Sequence, residues 1–343
     1  MAQTELSELG EFGLIDRLTK NVKCKNSSTI QGIGDDCAIL SYPSDRDLVV
    51  TTDLLVEGIH FDLVYCPLKH LGYKSVMVNL SDVYAMNATP RQITVSIAVS
   101  AKFTVEALEQ FYEGIALACE KHGVDLVGGD TTSSMTGMMI SITAIGEVEK
   151  GKAVKRSSAK PNDLICVSGD LGGAFVGLQI LEREKYVFNQ SGVQATKLEG
   201  YDYVLQRQLK PEARKDIIER LATLSIVPTS MIDISDGLSS ELMHICKNSG
   251  VGCKVYEDKI PVNEETSRVA NEFNILPLTC ALNGGEDYEL LFTVDINSYH
   301  KLSMATDVRI IGNIVAKEEG MFLVTRQNER IELTAQGWNG MKN

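Results

Sequence analysis

Residues 68–101 read "LKHLGYKSVMVNLSDVYAMNATPRQITVSIAVSA". Apolar side chains recur at helical spacing through its first part, predicting a helix over 68–88 that stops before Pro90, because the residue preceding a proline is driven toward extended backbone. From 92 to 101 the spacing changes to the alternation of a strand. The same exchange of periods runs through the first 150 residues. "DLVVTTD" (47–53), "VDLV" (124–127) and "MMISITAIGEV" (138–148) read as strands. Between them a second helix carries Leu108, Phe111, Ile115 and Cys119 on one stripe, with Gly123 placed to end it. The expected class of this region is α/β.

Residues 149–162, "EKGKAVKRSSAKPN", break the pattern with five basic residues and a proline. A domain boundary is placed here, giving an N-terminal domain over 1–150 and a C-terminal one over 151–343. A solvated linker accounts for the same composition. Beyond it, "LICVSGD", "SMIDI", "EDYELLFTV" (286–294) and "VRIIGNIV" (308–315) read as strands. "DGLSSELMHICKNSG" (236–250) reads as a helix with Leu238, Leu242 and Ile245 on one face and Gly250 as its stop.

A chain of 343 residues with 44% hydrophobic content suffices for two ordinary cores. The eight cysteines occur singly, with no CxxC pair, so neither a zinc site nor a disulfide framework is indicated. No apolar run approaches the roughly 20 residues that span a bilayer. The N-terminus "MAQTELSELGEFGLIDRL" has acids where a signal peptide has bases. The expectation is a soluble, cytoplasmic protein that engages no membrane. A net charge of −13, without a basic tract, argues equally against nucleic acid.

The chemistry has to be sought among the acids. Aspartates recur in Gly/Ser/Thr-rich company: Asp35 and Asp36 in "GIGDD", Asp53 in "TTD", Asp130 in "GGDTT", Asp233 and Asp236 in "DISDG". Asp82 lies inside the first helix, one turn after Asn79, where a short polar side chain competes for the backbone and wants a reason. Each acid also has a plain explanation: Asp236 as a helix N-cap, Asp130 in a turn after its glycines, Asp82 facing solvent. If they converge, they need cations, since two unit charges 4 Å apart repel by roughly 4 kcal/mol at an effective dielectric of about 20. Oxygen ligands without nearby His or Cys favour a hard ion such as Mg²⁺, which keeps positions for phosphate oxygens. P-loop, dinucleotide, protein-kinase and EF-hand signatures are all absent. Phosphate contacts therefore fall to metal and Gly/Ser backbone, with Arg156 in the basic stretch as a direct clamp.

The ordered set "GEFGLI" (10–15), "GIGDDCAIL", "TTDLLVEGIHF" (51–61), "VNLSDVYAMNATP" (78–90), "LVGGDTT" (126–132), "RSSAKPND" (156–163), "IDISDGLSSEL" (232–242) and "GGEDYELLF" (284–292) spans nearly the whole chain. As a set it resembles the thiamine-monophosphate kinase family, within the superfamily of aminoimidazole ribonucleotide synthetase. The resemblance implies a two-domain fold: an N-terminal α/β domain that binds ATP and Mg²⁺ and dimerises through its sheet, and a C-terminal α+β domain. It implies ATP-dependent, Mg²⁺-dependent phosphorylation of thiamine monophosphate to thiamine diphosphate by a homodimer, the last step in making that cofactor.

Carried over by position, the resemblance makes Asp36, Thr51, Thr52, Asp53, Asp82, Asp130, Asp233 and Asp236 the magnesium shell. Tyr112, Gly129, Asp130, Arg156 and Ser235 become ATP contacts, and His60, Glu286 and Trp338 contacts to thiamine monophosphate. Each acceptor residue has a plainer reading: His60 as a strand-end core histidine, Glu286 as a turn residue, Trp338 as a packing anchor. No general base is assigned. If "GIGDD" is extended, Asp35 and Asp36 point to opposite faces, and the family pattern selects Asp36. The runner-up is a synthetase that activates an amide or carbonyl oxygen, against which "TTDLLVEGIHF" matches the kinase pattern better. A non-catalytic binding module is the rival from another class, and no motif is damaged in the way it requires.

Overall fold

The computed structural model describes residues 14–15, 17–33, 38–191 and 198–335. The chain divides into two compact units, Met1–Ala153 and Val154–Asn343. In the first, a short antiparallel pair, β1 (Thr29–Gln31) and β2 (Ile39–Leu40), precedes a four-stranded sheet. Its strands are β3 (Arg46–Val56), β4 (Thr89–Val99), β5 (Asp125–Ser133) and β6 (Met138–Glu149), in the order β3-β6-β4-β5. β6 runs antiparallel to both neighbours, while β4 and β5 are parallel. Parallel strands need a crossover, and α2 (Val105–His122) provides it after α1 (Leu68–Ala85) has joined β3 to β4.

α2 forms as its local sequence dictates. Thr104 caps it by accepting from the Ala107 amide at 3.3 Å, Leu108, Phe111, Ile115 and Cys119 are buried, and Gly123 ends it in the left-handed conformation. α1 departs from expectation. It ends at Ala85, because Asn87 turns left-handed at φ 57°, and Pro90 lies within β4 at a register shift that spares the ladder its missing N–H. Residues 71–81 of α1 are all buried, so Asp82 follows a helix enclosed on every side.

The expected turn at "GGDTT" is instead the continuation of β5 to Ser133. Gly129 permits it: a Cβ there would lie 1.9 Å from the Val95 carbonyl oxygen, so the glycine lets β4 approach.

The second unit holds a seven-stranded sheet of β7 (Leu164–Ser168), β8 (Ser230–Asp233), β9 (Gly252–Tyr256), β10 (Leu290–Val294), β11 (Val308–Val315), β12 (Met321–Val324) and β13 (Arg330–Glu332). Its order is β13-β12-β9-β11-β7-β10-β8, antiparallel except for β9 with β12. Helices α3 (Gly173–Ser191), α4 (Asp202–Leu209), α5 (Lys215–Thr223), α6 (Leu238–Ser249), α7 (Glu264–Glu272) and α8 (Pro277–Asn283) accompany it. One face of α6, with Leu238, Leu242 and Ile245, packs into the sheet core on Ile232, Leu291 and Ile311. A second cluster joins Val176 and Ile180 of α3 to Val204 of α4 and Val269 of α7.

The strand expected over 286–294 begins only at Leu290, because Glu286 and Tyr288 adopt left-handed backbone at φ 57° and 52°. The described cysteines are all free thiols. Among the described residues, no helix is long and apolar enough to cross a membrane.

Candidate active site

In β3, alternation puts Thr51 and Asp53 on the face toward α1 and Thr52 on the other. Thr51 Oγ1 donates to Asp82 Oδ2 at 2.5 Å, and the Asp53 amide donates to Asn79 Oδ1 at 3.1 Å. Asn79, fully buried, is fixed in turn by donating to the Ser75 carbonyl at 3.0 Å. Asn79 and Asp82 are three positions apart on the helix, so both meet the same strand. Asp82 is therefore a working part of a strand-helix contact rather than a solvated side chain.

Burial, and then the negative charge of Asp82, push Asp53 up to about 6. A carboxylate raised in this way by burial and a neighbouring negative charge is one whose ionised form a nearby cation would favour. Carboxylates and a threonine hydroxyl, with no sulfur or imidazole, suit a hard ion. Thr52 does not join them through its side chain. Its hydroxyl donates to the Ile142 carbonyl and accepts from Thr143, each at 3.1 Å, on the opposite face.

Tyr112 of α2 is brought onto β5 by a hydrogen bond with Thr131, next to Gly129 and Asp130. Burial pushes the phenol up to about 12, against the pull of that bond. Asp130 is exposed on β5 and sits in no turn. His60 lies past the end of β3 in a tight loop, half-buried, where its Nδ1 accepts from the Val56 amide at 3.0 Å. When neutral, such an imidazole carries its proton on Nε2.

In the second unit, the turn after β8 and the turn before β10 are stitched together. The Ile234 amide donates to the Glu289 carbonyl at 2.7 Å, Glu286 to Ser235 at 2.7 Å, and Tyr288 to Ile234 at 2.9 Å. Ser235, Asp236 and Glu286 thereby become neighbours, although they lie some fifty residues apart in sequence. Asp233, buried at the end of β8, pairs with Leu290.

Asp236 is not the N-cap of α6. Gly237 holds that position at φ 115°, without a side-chain cap. The Asp236 amide donates instead to Glu241 Oε1 at 3.1 Å. Partial burial pushes the Asp236 carboxyl up, moderated by His244 and Arg156, which places Arg156 in the same electrostatic neighbourhood. Glu241 itself is buried and is pushed up to about 8, chiefly by that burial.

The sequence-derived set is thus divided. Asp36, Thr51, Thr52, Asp53, Asp82, Asp130, Tyr112, Gly129 and His60 belong to the first unit. Arg156, Asp233, Ser235, Asp236, Glu286 and Trp338 belong to the second. Asp35, Asp36 and Trp338 lie outside the described residues. Among the described residues, no group of three His, Cys, Asp or Glu side chains is placed to hold a metal ion.

Several residues that build the second unit's site left little trace in the sequence. Arg207 of α4 donates to Glu289 Oε1 at 2.8 Å and to the Asp170 carbonyl at 2.9 Å, and it pairs with Asp287 at 3.5 Å. Arg214 meets Glu289 from the other side. Gln208 donates to Glu286 Oε2 at 2.7 Å. Glu241 alone had a local signal, an acid in the first turn of a helix, which is a variant of the capping box.

A family model described as "AIR synthase related protein, N-terminal domain" matches residues 34–148. The chain is 37% identical over 338 residues to a thiamine-monophosphate kinase of Buchnera aphidicola subsp. Schizaphis graminum, covering 97% of this chain and 99% of the relative. It is 33% identical over 339 residues to that of Bacillus subtilis, covering 97% and 100%.

Among solved structures, the thiamine-monophosphate kinase of Stenotrophomonas maltophilia K279a is similar with a TM-score of 0.77 at 33% identity, over 92% of this chain and 96% of that one. A structure described as "AaThiL complexed with AMPPCP and TMP" matches with a TM-score of 0.73 at 32% identity, over 99% and 100%. Escherichia coli HypE, a hydrogenase maturation protein, matches at 0.75 with 18% identity over 96% and 98%, a likeness of fold alone. The mixed α/β architecture is thus that of solved thiamine-monophosphate kinase structures, and near full-length identity above 30% places this chain in the thiamine-monophosphate kinase family.

Proposed function

We propose that this chain transfers the γ-phosphoryl group of ATP to thiamine monophosphate, giving thiamine diphosphate and ADP, with magnesium required. The observation that carries the reading is the junction of β3 with α1, where Thr51 donates to Asp82, the Asp53 amide donates to Asn79, and Asp53 feels the Asp82 charge, inside the segment matching the family model. A phosphate oxygen of the acceptor attacks the γ-phosphorus in line. The bond from phosphorus to the β–γ bridging oxygen breaks, and ADP leaves with the electron pair. A phosphate monoester loses its second proton near pH 6, so the nucleophile is already ionised and no general base is needed. What remains for the protein is positioning and charge cancellation.

Asp36, Thr51, Asp53, Asp82, Asp130, Asp233 and Asp236 are the residues proposed to hold Mg²⁺. Held by these acids, Mg²⁺ would supply the positive charge needed to offset two polyanions that a chain of net charge −13 would otherwise repel. Thr52 faces away, so its hydroxyl is the weakest member of the expected set. Tyr112, Gly129, Asp130, Arg156 and Ser235 are assigned to ATP. His60, Glu286 and Trp338 are assigned to the acceptor, where an aromatic face suits the cationic thiazolium and a carboxylate matches its charge. Purified protein given ATP, thiamine monophosphate and Mg²⁺ is expected to produce thiamine diphosphate and ADP, and a chelator to stop it. Folded protein that yields no thiamine diphosphate at saturating substrates and Mg²⁺ sinks the reading.

The same reading makes the chain a homodimer through the first unit's sheet. Leu48, Val50 and Leu54, on the face of β3 turned away from α1, are 50%, 65% and 56% exposed, an apolar row that a second copy would cover. Sedimentation is expected to give a dimer, and Val50→Lys a monomer. A wild-type monomer at micromolar concentration would remove the dimer from the proposal.

A further inference from the structure

Arg156, assigned to ATP, lies in the irregular stretch that leads into β7, so neither a helix nor a strand holds it in place. That stretch is fastened at both ends. The Met231 amide of β8 donates to the Lys155 carbonyl at 3.1 Å. At the far end Asp163 Oδ2 accepts from the Lys160 amide at 2.9 Å and from Thr229 Oγ1 at 2.7 Å. Between these points a single side chain takes hold. Ser249 Oγ, on the last residue of α6, accepts from the Ser158 and Ala159 amides, each at 3.2 Å, and donates to the Arg156 carbonyl at 3.4 Å. A serine hydroxyl offers one donor and two acceptor lone pairs, and all three go to one loop. Late in a helix that donor ordinarily bonds back to a carbonyl of its own helix. Here it goes to Arg156 instead.

We propose that Ser249 is a positioning residue for ATP: its hydroxyl clasps the backbone of residues 156–159 and so fixes where the Arg156 guanidinium stands. This rests on the reading of Arg156 as an ATP contact. The clasped backbone has a shape it would not keep unaided. Ser158 sits at φ 123°, a region that residues with a Cβ rarely adopt, and such strain persists where the surroundings fix it. Its amide is one of the two that Ser249 receives. Ala159 then returns to the core, in the same cluster as Leu242 and Ile245 of α6. The loop is thus laid against the C-terminal half of this helix on both sides of the strained residue. The charge of Arg156 is felt beyond the other end of α6, where it and His244 draw the Asp236 carboxyl down against its burial. Ser235, the other residue of this unit assigned to ATP, is next to Asp236. A backbone anchored at one end of α6 therefore serves a charge that acts at the other.

The test varies ATP and thiamine monophosphate separately for Ser249→Ala, Ser249→Thr, Ser249→Val, Arg156→Ala and the double variant Arg156→Ala/Ser249→Ala, with Tm recorded for each. Threonine keeps the hydroxyl and valine matches its shape without one, so that pair stands in if Ser249→Ala fails to fold. Ser249→Ala is expected to raise the ATP KM roughly fivefold, about 1 kcal/mol, with the thiamine monophosphate KM moving less than about twofold. Ser249→Val should match it, and Ser249→Thr should restore the wild-type value. Arg156→Ala is expected to raise the ATP KM roughly tenfold or more. The double variant should be no worse than Arg156→Ala, because the serine works through the arginine.

A raised ATP KM in Arg156→Ala, with Ser249→Ala and Ser249→Val unchanged, overturns the positioning role while leaving the ATP reading of Arg156 intact. Equal increases in both KM values, equal effects of threonine and valine, or a double variant in which the two losses add, each mark a merely structural serine and also overturn it. If Arg156→Ala leaves the ATP KM unchanged in an active enzyme, the ATP assignment falls and takes the inference with it.

Discussion

Asp82→Asn lowers turnover by roughly a hundredfold or more at saturating Mg²⁺ and ATP, the scale of losing one electrostatic contact that acts on developing charge. The fold survives, because asparagine keeps the shape and still accepts from Thr51 at the end of a helix already enclosed by apolar packing. A second readout needs no substrate. Asp53 ionises at about 6 in the folded chain against 3.8 ordinarily, raised by burial and by the Asp82 charge. Between those values the folded state keeps a proton that the unfolded state has lost, so stability falls as pH rises through the window. In a chelator, the melting temperature of the wild type should therefore decline from about pH 4 to about pH 6. Asp82→Asn removes the facing charge and should flatten that decline. Wild-type turnover in purified Asp82→Asn would show that the pair does not hold the required ion.

What the sequence disclosed was mostly local. The α2 stripe, the Thr104 cap and the Gly123 stop involve residues within a turn of one another, and each is where its spacing places it. The glycines at 128 and 129 misled because their reason is not local. They look like a turn, yet Gly129 is required by Val95, a strand and a helix upstream. The 286–289 stretch misled in the same way. Its alternation resembles a strand, but Asp287 and Glu289 are held by Arg207 and Arg214, some eighty residues earlier. Asp82 was the informative exception. An aspartate in a helix interior violates local preference, and the cause lies across the interface at Thr51 and Asp53. The family pattern marked both "DISDG" and "GGEDYE", but not that three backbone hydrogen bonds join them.

Arg207→Leu is expected to destabilise the second unit by about 3–5 kcal/mol, the range for breaking a buried ion pair from one side. The lower end is more apt for Glu289, because Arg214 remains on it. The cost is set by what is left behind. Asp287 and Glu289 side chains are 0% and 2% exposed, and neither can recover water when the guanidinium goes. Asp287 keeps the Gly172 and Ala174 amides at 2.7 and 3.3 Å, which hold its oxygens but do not supply a charge. It already sits at about 6 through burial, with Arg207 the strongest influence pulling it down. Removing that pull sends it higher, so the variant's folded state takes up a proton at mildly acid pH. The stability lost to the substitution should thus be smaller near pH 5.5 than near pH 8. Arg207→Lys, a point charge without the fork, should fall between the variant and the wild type. Urea denaturation at the two pH values measures all three. A shift within about 0.5 kcal/mol, as for an ordinary surface change, would mean that the two acids find their compensation elsewhere and that α4 is not the element holding the 284–289 turn in shape.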